Sequence, residues 1–315
     1  MAPRKLLIDC DPGHDDILAI LNCLAHPEAF EILGYTTVCG NQLVELVTRN
    51  LCGVLTYLGV PGSVAQGYDA PMVLPPDPQP EAHGVTGLDG PHLPEPTVHP
   101  LQVHALDFLR DTLLAHDRVT VVALAPLTNL AMLLKTYPAV KDHIDCITLM
   151  GGSRGGGNIL PRAEFNLYAD PHAAKAVFES GVPIVMSDIE ICQACATPHT
   201  WIDSLRGQGR VQDLAHDILQ FFSLWGRRHG QNTSPIFDLV PVMHMLHPEL
   251  FETAPVRVQI ETEGRLTRGM TIVDSVDDPQ TANVTLLKSC RDPAAYNRYL
   301  AENLVLLNQQ LFPEA

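Results

Sequence analysis

The segment Leu6–Ile20, LLIDCDPGHDDILAI, constrains the chain more than any other. Its apolar run, Leu6-Leu7-Ile8, reads as a buried strand. Asp9 and Asp11 fall where that strand should end, and Pro12-Gly13 force a turn. Asp15 and Asp16 then open an apolar-periodic segment, Ile17 to Leu24, which reads as a helix. Four carboxylates thus occupy eight residues between a strand's carboxyl end and a helix's amino end. In open α/β sheets that corner is where ligands bind.

Opposing forces act on such a cluster. The amino end of a helix favours nearby Asp, whereas clustered carboxylates repel one another. One or two Asp would be explained by helix capping. Four around a Pro-Gly turn point instead to a metal or sugar site. Hard oxygen donors without a thiolate suit calcium or magnesium. The spacing is not that of an EF-hand, because the carboxylate required at the end of that loop would be Ile20.

Strands and helices alternate onward. Phe30–Val38 reads as a strand that ends at Asn41, followed by a helix over Leu43–Leu58. Asn41 therefore sits at a second strand-to-helix corner, where it serves either as a cap or toward a ligand. Ser63–Gln66 is a short strand. Nine prolines then fall between Pro71 and Pro100, so the segment at about 71–100 is expected to be an irregular loop over the site, carrying His83. Leu101–Ala115 reads as a helix, Val119–Ala125 as a buried strand, Pro126–Leu134 as a helix and Ile147–Met150 as a strand.

The glycine run Gly151–Gly157 has neither phosphate-loop nor dinucleotide-fold spacing and reads as a close backbone approach or a mobile turn. Asn158, Glu164 and Asn166 follow it, and Asp170 reads as the N-cap of a helix over Pro171–Glu179. Val182–Met186 is a further strand. The last third reads as mostly helical, with a hairpin of Val256–Ile260 and Thr271–Asp274 and a strand at Val284–Leu287. Phe221, Phe222 and Trp225 share a helical spacing within an aromatic region at about 219–235, suited to core packing or to stacking on a flat base. Asp238, embedded among apolar residues, needs a cation or donors.

This alternation, without a linker or repeat, predicts a single α/β domain over 1–315 with an open, mostly parallel sheet flanked by helices. The length supports a large core, and no segment is long and apolar enough for a bilayer. A net charge of −16 argues against nucleic acid as a partner. The start, MAPRK, does not read as a secretory signal. The eight cysteines do not form the paired set of a zinc site and read as reduced thiols of a cytoplasmic protein.

In these residues the chain resembles the inosine–uridine-preferring nucleoside hydrolases. DCDPGHDDILAI is similar to that family's aspartate motif. TTVCGN (Thr36–Asn41), VAQGYDAPM (Val64–Met72), His83-Gly84, PLTNLA (Pro126–Ala131), LMGG (Leu149–Gly152) and AEFNLYADP (Ala163–Pro171) match later motifs in order. The resemblance implies a Rossmann-like nucleoside hydrolase fold, a small-molecule ribonucleoside as substrate and one bound calcium ion. It implies Asp11, Asp16, Asp238 and the Leu124 carbonyl as metal ligands, with Asp11 also the general base toward a water held there. It places Asp15, Asn41, Asn158, Glu164 and Asn166 on the ribose hydroxyls; Phe165 and Trp225 complete the expected substrate-binding set. It also implies a homodimer or homotetramer.

One departure stands out. Where much of the family has a histidine that can protonate the departing base, this chain has Phe237. His83 and His229 are the substitutes. Phe237 also keeps open a reading as a nucleoside- or ribose-binding protein with lost or narrowed turnover. A phosphoryl-transfer reading with an Asp nucleophile is weakened by Pro12-Gly13 and by the lack of a downstream lysine at a strand end.

Overall fold

The computed structural model describes residues 2–313; Met1 and the last two residues of the expected domain lie outside the described residues. The strands are β1 (Arg4–Cys10), β2 (Phe30–Thr37), β3 (Val64–Gln66), β4 (Val119–Ala123), β5 (Ile144–Met150), β6 (Ile184–Ser187), β7 (Thr197–Pro198), β8 (Thr233–Ser234), β9 (Phe251–Ile260), β10 (Thr271–Ser275) and β11 (Val284–Cys290). Nine of them form one sheet in the order β10-β9-β11-β6-β5-β4-β1-β2-β3, and β7 and β8 pair separately. Every neighbouring pair from β11 to β3 is parallel. β9 alone runs against the direction of the other strands, next to the edge strand β10.

Apolar layers cover both faces of this sheet, which is why its central strands are continuous hydrophobic runs. In β1, Leu6, Ile8 and Cys10 pack into one layer and Leu7 into the other. The first layer is closed by helices His14–Leu24, Val44–Leu58, Arg210–Phe222, Leu239–Leu246 and Pro293–Leu311. The second is closed by Ala105–Ala115, Thr128–Thr136 and Pro171–Phe178. Among the described residues no helix is long and apolar enough to cross a membrane.

The chain lays β2 and β3 on one side of β1, then crosses to put β4 on the other. Strand order reverses at β1, so a crevice opens at the carboxyl ends of β1 and β4. Residues following β1, β2, β4 and β5 all lie along that edge.

Several expectations change in detail. The Pro-rich segment is not wholly irregular: Pro80–His83 forms one helical turn, with Pro80 at its first position. Nor is the segment loose. Gln79 N–H donates to the Asn41 carbonyl at 3.1 Å, Asn50 Nδ2 to the Thr86 carbonyl at 3.0 Å and Gln42 Nε2 to the Val85 carbonyl at 3.1 Å. The helix expected from Leu101 begins at Ala105, where the His104 ring accepts the Leu106 N–H. The aromatic helix is interrupted at Ser223, between Arg210–Phe222 and Leu224–Arg228. Cys192 and Cys195 do have C-x-x-C spacing, and both are buried and free.

Asp170 caps its helix as expected, accepting the Ala173 N–H at 3.0 Å. Its other oxygen accepts the Met72 N–H and the Thr128 hydroxyl, each at 2.8 Å, and so anchors the start of the Pro-rich segment. Asp170→Ala removes the cap and leaves two donors unpaired. It should lower the unfolding free energy by about 2 kcal/mol or more, read as a lower denaturant midpoint at unchanged m-value.

Candidate active site

The carboxylates at the end of β1 separate into different environments. Asp9 is fully buried; its Oδ1 accepts the Thr36 hydroxyl at 2.5 Å and Asn129 Nδ2 at 2.7 Å. It joins β1 to β2 and to the helix after β4, and burial pushes its carboxyl up to about 6. Asp11 Oδ2 accepts the Asn41 N–H at 2.7 Å, while its Oδ1 is buried without a partner. Gly40 leaves the space for this carboxylate, since a Cβ there would overlap Asp11 Oδ2.

Asp16 in the first helical turn accepts N–H groups from Asp11 at 3.2 Å and Gly13 at 3.0 Å, and Asn41 Nδ2 at 3.3 Å. This is the carboxylate half of a capping box, and it folds the Pro12-Gly13 turn onto the helix. Carboxylate oxygens of Asp15, Asp16 and Asp238 all lie within 4.8 Å of one another, and all three residues are buried. Asp238 stands at the N-cap of Leu239–Leu246 yet makes no side-chain capping bond.

Burial is the main cause of the raised carboxyl pKa values, followed for Asp15 and Asp238 by the neighbouring carboxylates. Asp15 is pushed up to about 8 and Asp16 to about 6, and Asp11 and Asp238 are also raised. A buried anionic cluster of this kind is costly without a counter-charge. The orphaned Asp11 oxygen, the uncapped Asp238 and the all-oxygen donor set fit a hard divalent cation. Among the expected ligands, Asp16 and Asp238 belong to the closest group, where Asp15 joins them. Asp11 lies beside it, its N–H on Asp16.

The Leu124 carbonyl accepts Asn166 Nδ2 at 3.0 Å, and the Met150 carbonyl accepts the same group at 3.2 Å. Glu164 caps the next helix with both oxygens, taking N–H groups of Asn166 at 2.7 Å, Gly152 at 2.9 Å and Leu167 at 3.1 Å. Burial pushes its carboxyl up to about 7. Asn158 is exposed, with its Oδ1 on the N–H of the buried Phe165 at 2.9 Å. The glycine run wraps a carboxylate of this same chain: Glu190 accepts N–H groups of Gly155 at 2.7 Å and Arg154 at 2.9 Å.

His83 is buried over the Pro-Gly turn: a Cβ on Gly13 would stand 2.6 Å from His83 Nδ1 and 2.7 Å from Asn41 Nδ2. Its ring is tilted against Phe222 at 5.6 Å. Phe237 meets Phe222 edge-on at 6.5 Å and fills its position with an apolar ring. Trp225 and His229 are not brought into this group. Trp225 is 64% exposed, and its ring stacks on His229 at 4.2 Å. The interruption at Ser223 separates Trp225 from the partly buried Phe221–Phe222 pair.

His14 was not anticipated as part of the site. It is fully buried, stacks on Phe221 at 5.0 Å and Phe222 at 5.6 Å, and lies 3.1 Å from His83, Nδ1 to Nδ1. Burial holds it down at about 4. The available signal was its place between the Pro-Gly turn and the Asp pair, in the first turn of a helix that is apolar beyond them.

Fold and site together define an open α/β protein with a carboxylate-lined crevice at its switch in strand order. The model of the inosine–uridine preferring nucleoside hydrolases matches residues 6–297. The pyrimidine-specific ribonucleoside hydrolase RihA of Photobacterium profundum is 38% identical over 296 residues, covering 90% of this chain and 93% of its own. RihA of Klebsiella pneumoniae is 39% identical, covering 85% and 88%. A purine-preferring ribonucleoside hydrolase from Gardnerella vaginalis superposes with a TM-score of 0.89 at 28% identity, over 97% of this chain and 99% of that one. A plant nucleoside hydrolase gives 0.84 at 25%, over 98% and 99%. The chain belongs to the inosine–uridine preferring nucleoside hydrolase family. It is an enzyme of the ribonucleoside hydrolase type, an N-glycosidase.

The raised carboxyls set a pH dependence of stability. Each binds its proton more tightly folded than unfolded, so without a cation unfolding free energy falls as pH rises from about 4 toward 8. Thermal unfolding in chelator should show this fall, and saturating calcium should restore much of the loss at pH 8. Asp238→Asn should raise the midpoint of the cation-free protein at pH 8 and abolish the response to calcium.

Proposed function

We propose that this enzyme hydrolyses the N-glycosidic bond of pyrimidine ribonucleosides, releasing free base and ribose, with calcium in the carboxylate cluster around Asp16 and Asp238. The observation that carries the chemistry is Asp11: one oxygen fixed by the Asn41 N–H, the other buried and unpartnered beside the cluster. The pyrimidine preference rests on the relatives at 38–39% identity, which are named pyrimidine-specific.

Asp11, Asp16, Asp238 and the Leu124 carbonyl would hold the cation, with Asp15 at the boundary between cation and ribose. A bound cation supplies orientation of the ribose diol and a lowered pKa for an adjacent water. The chain's own groups do the rest. Asp11 takes the proton of the attacking water through its free oxygen. Asp15, Asn41, Asn158, Glu164, Phe165 and Asn166 form the binding wall for the ribose. As the bond from C1′ to the base breaks, positive charge grows on the sugar, and the buried carboxylates favour it. Water attacks directly, so no covalent intermediate is needed.

The base leaves without help at Phe237. His83, seated on Gly13, is the histidine we assign to protonate it; Trp225 and His229 would reach the base only by movement of the helix Leu224–Arg228. The segment 71–100 is the cover of the site. Six buried free thiols support a reducing, cytoplasmic setting for nucleoside salvage. Assembly as a homodimer or homotetramer belongs to the same proposal and is read by light scattering.

Release of reducing ribose tests the reading. With calcium, uridine and cytidine should react, and inosine and adenosine far more slowly. 2′-Deoxyuridine should react at least ~100-fold more slowly, because a site built to bind a hydroxyl is left unpaired without it. Asp11→Ala should lower kcat by about 1000-fold. Calcium-loaded protein that binds uridine and releases no ribose would replace hydrolysis with a binding role.

A further inference from the structure

Beyond the residues that face the ribose, His14 makes contacts that a packing residue does not require. Its Nε2 lies 2.8 Å from the Asp89 main-chain oxygen, and its Nδ1 lies 3.1 Å from His83 Nδ1. A carbonyl oxygen only accepts, so the hydrogen on Nε2 belongs to His14. A neutral imidazole carries one N–H, and this ring is wholly buried against Phe221 and Phe222. His14 Nδ1 is then the acceptor, and His83 Nδ1 is the donor.

The loop that carries both partners is closed on itself. Asp89 N–H donates to the His83 carbonyl at 3.2 Å. The Asp89 carboxylate accepts the N–H groups of Val85 at 3.0 Å and Thr86 at 3.1 Å, and the Thr86 hydroxyl at 2.5 Å. Gly84 and Gly87 provide the left-handed turns, with φ of +80° and +81°. His14 therefore engages both ends of the 83–89 loop, one nitrogen to each.

We infer that His14 is a positioning residue: it holds His83 with the hydrogen on Nδ1, so that Nε2 is the only atom of His83 free to exchange a proton with the departing base. This rests on the reading of His83 as the group that protonates the base. In the proposed step the C1′–N bond breaks and its electron pair goes to the base. A proton that His83 Nε2 has first taken up from solvent passes to the base and returns His83 to its neutral Nδ1–H form, while water, losing a proton to Asp11, forms the new bond to C1′. His14 keeps its own hydrogen and accepts the Nδ1–H of His83 throughout, the orienting role that an acceptor plays behind a catalytic histidine.

The test compares uridine with 4-nitrophenyl β-D-ribofuranoside, whose phenolate leaves without a proton, using calcium-loaded enzyme. His14→Phe should lower kcat on uridine about 100-fold, leave KM within about threefold, and leave the nitrophenyl riboside within about threefold. His14→Gln, which keeps one donor and one acceptor, should recover part of the loss. His83→Gln is the reference. If it spares uridine, His83 is not the acid, and the underlying reading fails. If it slows uridine selectively while His14→Phe and His14→Gln both match the parent enzyme, the role of His14 is overturned. Equal loss on both substrates in both His14 variants would mark His14 as a packing residue only. Nitrogen-15 NMR of the His83 ring provides a readout independent of turnover: the Nδ1-protonated tautomer is expected, and the Nε2 tautomer refutes the inference.

Discussion

The structure depends on keeping several carboxylates together and away from water. Asp9, Asp11 and Asp16 are each held on one side by backbone or side-chain donors. Asp9 takes Thr36 and Asn129, Asp16 takes the N–H groups of the Pro-Gly turn, and Asp11 takes the Asn41 N–H. These bonds stand in for hydration and fix the carboxylates before any ligand arrives. Asp11 Oδ1 has no such donor, and the Asp238 side chain makes no capping bond. The tension left in the cluster is what a cation and a sugar developing positive charge would relieve.

The fold supplies this constraint cheaply because the switch in strand order brings several loop ends to one edge. Asp9 and Leu7 share one face of β1 by strand alternation, so Asp9 is committed to the sheet's interior. Asp11 lies past the strand's end and is available to the crevice. Of the four carboxylates of the opening motif, Asp9 is therefore a structural tie, and the other three are the ones proposed for the site.

Much of this was legible in the sequence, because strands buried on both faces are short apolar runs and the chemistry falls at their ends. The placement of β1, β2, β4 and β5, the corner at Asn41 and the cap at Asp170 follow from local pattern alone. What was not legible depends on contacts distant in sequence. The role of His14 is set by Asp89, His83 and the Phe221–Phe222 pair, all more than sixty residues away. Trp225 has the right helical spacing to join those rings, but the interruption at Ser223 turns it outward. Glu190 filling the glycine turn is likewise invisible to a motif that reads only the glycines.

On the proposed reading, the two ends of the substrate would meet different kinds of structure. Apart from the exposed Asn158, the residues proposed for ribose sit at strand-end corners and in or beside first helical turns, and most are buried. The base side would be bounded by the 71–100 segment and by the stretch from Phe221 to Phe237, where rings pack on rings and Trp225 stays in solvent. A relative named pyrimidine-specific and a structural neighbour named purine-preferring share the whole frame. Base preference is therefore not a property of the frame. It has to come from side chains carried on these outer segments, where loops can vary without disturbing the sheet. On the proposed reading, Phe237, Phe222 and the His14–His83 pair would stand at the boundary between the sugar site and the base site, where a change of leaving group would have to be accommodated.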